Sequence, residues 1–155
     1  MADELSKELQ RKNREIQSLN AQKEIFVKWI ELTQKGGTIL SYLDRKEIKT
    51  VVVYGINHFT VLFCREMEMA GIEVLCGISQ RKPLLELNIP LYDKEKLAEY
   101  AERIDAVIVT AVYYYDEIYD EIKGMLPERV KILSMADLVY DGLITLEDEK
   151  HPIII

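Results

Sequence analysis

The strongest constraint on the fold is a series of short apolar runs that alternate with segments of helical pattern. The clearest run, residues 50–54, reads Thr-Val-Val-Val-Tyr. A continuous β-branched run of this kind is typical of a strand that is buried on both faces of a sheet. Four further runs predict strands: residues 73–78, 88–92, 105–111 and 130–134. Within residues 88–92, Pro90 cannot donate to a central ladder, which predicts an edge strand.

Helical patterns separate these strands. They occupy residues 58–70, residues from an Asp93 cap to about Arg103, residues 114–126 and a closing helical turn at residues 135–140. Strands that alternate with helices at this spacing need crossover connections, which predict a parallel sheet. We therefore expect an α/β fold with a small doubly wound sheet of strand order 3-2-1-4-5.

A long amphipathic helix is predicted in front of the sheet. Residues 3–32 contain no glycine or proline, and the helix must end at the Gly36-Gly37 pair. A second short helix follows at residues 38–43. Alternate steps of four and three residues define a heptad seam with apolar side chains at six of its eight positions: Leu5, Leu9, Lys12, Ile16, Leu19, Lys23, Phe26 and Ile30.

The seam has two interpretations. It pairs two chains in a coiled coil, or it packs on the helix's own domain. The part before about Gln22 is too polar outside the seam to be core, and an isolated helix of this kind is only marginally stable without a partner. We therefore favour a homo-oligomer, a dimer, that forms through the N-terminal helix.

Composition limits the partners and the compartment. The 155 residues carry a net charge of −7, and an acidic surface repels phosphate backbones, which disfavours nucleic acid as a partner. No stretch is apolar enough to span a bilayer, and the chain is charged from Asp3 onward, unlike a signal peptide. We expect a cytoplasmic protein with no membrane partner. Cys64 and Cys76 lie in apolar runs, which predicts buried, reduced thiols.

A ligand crevice is predicted where the strand order reverses, beyond the carboxyl ends of the strands. This point lies between the strand that ends at Tyr54 and the strand that ends at Ala111. The loops at residues 55–60 and 111–115 flank it, and the loop beginning at Ser79 is a third candidate wall. The candidate binding residues are Gly55, Asn57, His58, Ser79, Arg81, Thr110 and Tyr113. No catalytic or metal-ligating set is predicted.

Residues 49–140 resemble the Rossmann-like domains found beside glycosyltransferases and sugar acyltransferases in cell-surface polysaccharide pathways. The pattern is a strand with Tyr-Gly, a helix, Gly-Ile, a strand, an Ile-Pro-Leu-Tyr edge, and Asp-Ala-Val-Ile-Val-Thr. The resemblance implies a site for NAD(P), a nucleotide or a nucleotide sugar at the first loop, and a partner from a glycosyltransferase pathway. The chain then divides into an N-terminal helix (1–35), a connecting helix (36–48), a Rossmann-like domain (49–142) and a C-terminal tail (143–155).

The dinucleotide fingerprint G-x-G-x-x-G is degenerate in this chain. Gly55 keeps the first glycine, Asn57 stands at the second and Thr60 at the third. A side chain at the second position blocks the approach of a pyrophosphate, although Asn57 tolerates a positive φ and the turn can survive. Ser79 replaces the acidic residue that would hold a ribose hydroxyl. Together with Arg81 and Lys82 it could hold a 2′-phosphate instead, or the three residues form a solvated basic turn.

His58 and the tyrosines at residues 113–115 each have two interpretations. His58 opens a helix, where it contacts an anion or is simply half exposed. A tyrosine ring after the strand stacks on a base or a sugar, or it fills the space between sheet and helix. We expect the packing role for Tyr115 and Tyr119, and leave Tyr113 open.

Three functions are consistent with these features. The favoured one is a non-catalytic Rossmann-like module that self-associates or docks to a partner through its N-terminal helix, with weak or lost nucleotide binding. The first alternative is a working nucleotide, NAD(P) or nucleotide-sugar binding domain in polysaccharide biosynthesis. The second is a nicotinamide-dependent reductase or epimerase. Among Tyr113, Tyr114, Tyr115 and Tyr119, only Tyr119 is followed four residues later by a lysine, Lys123, as in the Tyr-x-x-x-Lys pair of such enzymes, and the two lie late in a helix.

Overall fold

The computed structural model describes residues 2–80 and 87–150, with the side chain of residue 150 left out. In chain order, its helices and strands are α1 (Ala2–Gln34), α2 (Leu40–Arg45), β1 (Thr50–Tyr54), α3 (His58–Ala70), β2 (Glu73–Ile78), β3 (Leu91–Tyr92), α4 (Lys96–Tyr100), β4 (Ala106–Val109), α5 (Tyr115–Ile122), β5 (Lys131–Ser134) and α6 (Met135–Lys150). Short 3₁₀ turns at Val112–Tyr114 and Lys123–Met125 flank α5.

The strands form one parallel sheet of order β3-β2-β1-β4-β5, as predicted. In the register, Tyr54 at the end of β1 lies beside Ile78 of β2 and Val109 of β4. The carboxyl ends of β1 and β4 therefore adjoin at the point where the strand order reverses. The edge strand β3 has two residues, and the Gly77 N–H also donates to the Pro90 carbonyl oxygen at 2.9 Å.

Helices cover both faces of the sheet. Alternate residues of β1 point to opposite faces, so Val51 and Val53 join one core and Val52 and Tyr54 join the other. The first core contains side chains of α1, α2, α3 and α6, and the second contains side chains of α4 and α5. This two-sided burial explains why β1 is a continuous apolar run.

The two halves of α1 have different surroundings. Residues 2–17 are all exposed, whereas Ile25, Trp29 and Leu32 are buried in the first core. The Phe26 ring stacks on Phe59 of α3, with 3.9 Å between the ring centroids. The heptad seam is therefore open to solvent in its first half and partly packed on the chain's own domain in its second half.

Glycine ends α1, as predicted. Gly36 has a φ of +81°, a left-handed conformation that favours glycine, and the Gly37 N–H donates to the Leu32 carbonyl oxygen at 2.9 Å. A side chain at Gly37 would also contact the Leu32 side chain, at 2.4 Å. The sharp turn returns the chain so that α2 packs against the domain.

The helix α4 is shorter than predicted, and Asp93 does not cap it. Glu95 precedes the first helical residue and makes no side-chain capping bond. At the other end, the Arg129 guanidinium donates to the carbonyl oxygens of Ala101 at 2.8 Å and Ile104 at 2.9 Å. Arg129 therefore binds carbonyl groups that follow the last residue of α4.

The closing helix α6 is longer than the predicted turn at residues 135–140. It continues to Lys150, so the first part of the segment 143–155 is helical, and residues 151–155 lie outside the described residues. Leu143 and Leu146 continue its apolar face onto the first core. An ion pair of 2.6 Å joins Asp141 to Arg45 of α2. This packing on α2 explains why the helix does not stop at residue 140.

Candidate functional site

The loop after β1 contacts the end of β4 directly. Gly55 has a φ of +102°, and a Cβ atom there would lie 2.8 Å from Thr110 Oγ1 and 3.0 Å from the Ala111 nitrogen. The positive φ and this close approach both require glycine. Gly55 therefore keeps the first position of the fingerprint for a structural reason.

Asn57 and Thr60 cap the start of α3. The Asn57 side chain accepts a hydrogen bond from the Thr60 N–H at 3.4 Å, and the Thr60 hydroxyl accepts one from the Asn57 N–H at 3.1 Å. This reciprocal arrangement is a capping box. Asn57 has a φ of −148°, so the turn does not use the positive φ that this asparagine tolerates. The two residues that replace fingerprint glycines therefore stabilise the helix N-terminus themselves.

Thr110 connects this cap to β4. The Asn57 side-chain amide donates to the Thr110 carbonyl oxygen at 3.0 Å. The Gly55 carbonyl oxygen lies 2.7 Å from the Thr110 hydroxyl and 2.9 Å from the Thr60 hydroxyl, and both threonines are fully buried. These four residues, Gly55, Asn57, Thr60 and Thr110, are called the switch-point network below. At the predicted crevice, the side chains of Asn57, Thr60 and Thr110 therefore form hydrogen bonds with one another's residues and with the Gly55 carbonyl group.

The loop after β4 contacts α1. The Tyr113 hydroxyl donates to the Gln17 side-chain carbonyl, and the Arg14 guanidinium lies 5.1 Å from the centroid of the Tyr114 ring. Arg14 also makes an ion pair of 2.8 Å with Glu117. Sequence reasoning missed Arg14 and Gln17 because no local pattern relates residues that are about a hundred positions apart.

Tyr115 is a packing residue, as expected. Its ring packs against the second core, and its hydroxyl donates to the Ile132 carbonyl oxygen at 2.6 Å. Burial raises the pKa of Tyr115 to about 12. Tyr119 lies 6.0 Å from the Tyr115 ring and is 40% exposed, with the Lys123 ammonium group 5.7 Å from its ring. Both Tyr119 and Lys123 are outside the switch-point network.

The remaining candidate residues are distributed around the carboxyl edge. His58 is exposed as the first residue of α3. The Ser79 N–H donates to the Tyr92 carbonyl oxygen at 3.1 Å, and the Gln80 amide donates to the Tyr54 hydroxyl at 3.3 Å. Burial raises the pKa of Tyr54. Arg81 and Lys82, the predicted contacts of a 2′-phosphate, lie outside the described residues.

Both cysteines are free thiols; Cys76 is buried as predicted, whereas Cys64 is only half-buried. Burial raises the pKa of Cys64 and of Cys76 to about 11, so both are protonated thiols at neutral pH. Within residues 2–80 and 87–150, no three or more His, Cys, Asp or Glu side chains are grouped so that they could hold a metal ion.

This chain can be classified by its fold. None of the helices in the described ranges has the length and apolar character needed to cross a membrane. No protein-family model matches the sequence, and no curated protein matches it. The parallel five-stranded sheet of order 3-2-1-4-5, with helices interleaved between its strands, shows that the chain has a Rossmann-like α/β fold.

Proposed function

We propose that this chain is a non-catalytic Rossmann-like module that assembles through its N-terminal helix and has weak or no nucleotide binding. The observation that carries the proposal is an apolar stripe on the first half of α1. Its four side chains are between 56% and 64% exposed: Leu5, Leu9, Ile16 and Leu19. Complete burial of one such side chain contributes about 1.5–3 kcal/mol, so the stripe favours association with another surface.

The stripe points away from the chain's own domain. At about 100° per residue, Ile16 and Leu19 lie on the opposite side of the helix from Ile25 and Leu32, which are buried in the first core. Arg14 and Gln17, which contact the loop after β4, are on the inner side. Closer packing of α1 on the described part of the domain would therefore leave the stripe exposed.

Loss of nucleotide binding is supported by the switch-point network. A pyrophosphate in a dinucleotide site lies against backbone N–H groups at the helix N-terminus and needs a side-chain-free second position. In this chain Asn57 occupies that position and binds the Thr60 N–H, and its amide reaches Thr110. A phosphate would have to displace hydrogen bonds that the chain already makes.

The assembly is tested by sedimentation velocity over a range of concentrations. We expect the wild-type chain to self-associate, and the double variant Leu9→Glu/Ile16→Glu to remain monomeric. The matched control is Lys7→Glu/Gln10→Glu, which adds two carboxylates to exposed positions outside the seam and retains association. Complete removal of residues 1–32 is not a usable test, because Trp29 and Leu32 belong to the core. A chain that stays monomeric at all concentrations would contradict the proposal.

One observation favours the nucleotide-binding alternative. The exposed His58 begins α3 at the carboxyl edge of the sheet, where helix N-termini attract anions. A thermal-shift screen with NAD, NADP, nucleotides and nucleotide sugars separates the two functions. We expect no shift, and a rise of several degrees with one ligand class that is lost in His58→Ala would favour the alternative.

A further inference from the structure

The heptad seam of α1 is symmetric about the midpoint between Gln17 and Ser18. Four pairs of seam positions lie at equal distances on either side of it: Ile16 with Leu19, Lys12 with Lys23, Leu9 with Phe26, and Leu5 with Ile30. When two copies of such a helix run antiparallel about a two-fold axis at this midpoint, each residue faces its symmetric counterpart. Apolar side chains then face apolar side chains, and Lys12 of each copy faces Lys23 of the other in two separate layers.

An apolar groove lies at the domain end of this seam. It runs between the second half of α1 and α3 and has a volume of about 400 Å³. Five apolar side chains line it: Phe26, Trp29, Ile30, Leu62 and Met69. Of these, Ile30 is 56% exposed, Leu62 39% and Met69 78%. Since Phe26 and Ile30 are also seam residues, the groove lies on the same face of α1 as the exposed stripe, and Lys23 is the seam position between Leu19 and Phe26.

We infer that a second copy of this chain occupies the groove, with its α1 antiparallel, so that its Leu5 and Leu9 cover Ile30 and Phe26. The inference rests on the proposed function, and specifies the partner and the geometry of the assembly. The contact occurs twice, once at each end of the helix pair, because a two-fold interface is isologous. Each copy thereby supplies the apolar side chains that the other copy's groove exposes.

The position of the domain on α1 favours the antiparallel arrangement. The domain contacts α1 from Arg14 onward, and Phe59 of α3 stacks on Phe26, so Leu5 and Leu9 lie beyond the part of the helix that the domain contacts. In a parallel pair, Leu5 and Leu9 would face their own counterparts at the far end of the helices and would not reach Phe26 and Ile30. In an antiparallel pair the domains lie at opposite ends of helices about 50 Å long, since α1 has 33 residues.

Single cysteine variants distinguish the two arrangements in the full-length chain. In an antiparallel pair the two copies of residue 5 are about 38 Å apart along the helices, because 25 residues at about 1.5 Å each separate Leu5 from Ile30. We therefore expect Leu5→Cys alone to form no disulfide-linked dimer, and an equal mixture of Leu5→Cys with Ile30→Cys to form the mixed dimer. The wild-type chain under the same oxidation controls for Cys64 and Cys76.

A groove variant gives an independent measurement. We expect Met69→Glu to weaken dimerisation by tenfold or more in sedimentation equilibrium, while Ala70→Glu, at the neighbouring exposed position outside the groove, changes it less than twofold. Both positions are in the last turn of α3, and circular dichroism confirms that both variants remain folded.

Different results of these experiments would contradict the antiparallel arrangement, the occupancy of the groove and the proposed function. A wild-type dimer in which Leu5→Cys links to itself would overturn the antiparallel arrangement and leave the proposed function standing. A dimer that Met69→Glu does not weaken would overturn the occupancy of the groove. A chain that is monomeric throughout would overturn both the inference and the proposed function.

Discussion

The side-chain amide of Asn57 donates to the carbonyl oxygen of Thr110 at 3.0 Å and so links the start of α3 to the end of β4. In a sheet of this topology the gap between these two points is where a ligand enters. The chain spans that gap with its own hydrogen bonds. Substitutions of Asn57 and Thr110 test whether this link stabilises the fold.

Asn57→Ala should lower the free energy of unfolding by about 1–2 kcal/mol, because loss of an N-terminal helix cap alone costs about 0.5–2 kcal/mol and the bond to Thr110 is lost as well. Urea unfolding followed by circular dichroism measures the change. Asn13→Ala, at an exposed position in the first half of α1, is the matched control and should change the stability little. Equal stabilities of Asn57→Ala and wild type would show that the cap is not formed.

Thr110→Val should destabilise the fold by about 1–3 kcal/mol, because it keeps the side-chain shape and removes a buried hydroxyl that donates to the Gly55 carbonyl oxygen at 2.7 Å. The same unfolding experiment gives the value. Thr33→Val is the comparison, since the Thr33 hydroxyl bonds to the Trp29 carbonyl oxygen on an exposed helix surface. A Thr110→Val variant no less stable than Thr33→Val would contradict the described network.

Gly142→Ala should reduce stability by about 1–3 kcal/mol, the usual cost of overpacking a well-packed core. A Cβ at this position would lie 2.5 Å from the Thr38 carbonyl oxygen and 2.8 Å from the Leu32 side chain. Gly124→Ala is the matched control, because no atom lies within 4 Å of a Cβ there. Thermal unfolding of the two variants compares the effects directly, and a Gly142→Ala variant as stable as Gly124→Ala would mean that α6 packs less closely on α1.

The two thiols should make the stability of the fold depend on pH. Burial raises the pKa of Cys64 and Cys76 to about 11 in the folded chain, above the value of an unfolded cysteine. Between the two values the unfolded chain has lost protons that the folded chain keeps, so stability falls as the pH rises through about 9 to 11. Urea midpoints at pH 7 and pH 10 measure the loss, and Cys76→Ala should reduce it. Rapid labelling of both native thiols at pH 7.5 by a disulfide reagent would contradict the raised pKa values.

The sheet was predictable from the sequence because its central strands are buried on both faces. The run at residues 50–54 has no polar face that could be mistaken for a helix surface, and its neighbours along the chain share this pattern. Strand order then followed from the right-handed crossovers and the doubly wound arrangement.

The role of the fingerprint substitutions could be determined only from the structure. The sequence shows that Asn57 and Thr60 replace glycines, but it does not show that each caps the other and that Thr110 bonds to the same carbonyl group. The contacts of Arg14 with Tyr114 and Glu117 also join distant parts of the chain, which local periodicity does not relate.

The sequence does indicate the full length of α6. Its apolar positions continue at helical spacing through Leu143 and Leu146, beyond the predicted end at residue 140. The contacts of Arg129 with the carbonyl groups of Ala101 and Ile104 could not be predicted, because they join residues 25 or more positions apart.

The burial of Trp29 beneath Phe59 has a consequence for synthesis of the chain. The first helix leaves the ribosome before any of the strands and helices that cover its inner face, and the last of these, α6, begins only at Met135. Until then the nascent chain presents both the core face and the seam of α1 to its surroundings. Under the proposed pairing, neighbouring nascent chains on one messenger RNA would meet through their first helices before either domain is complete, and association would precede folding.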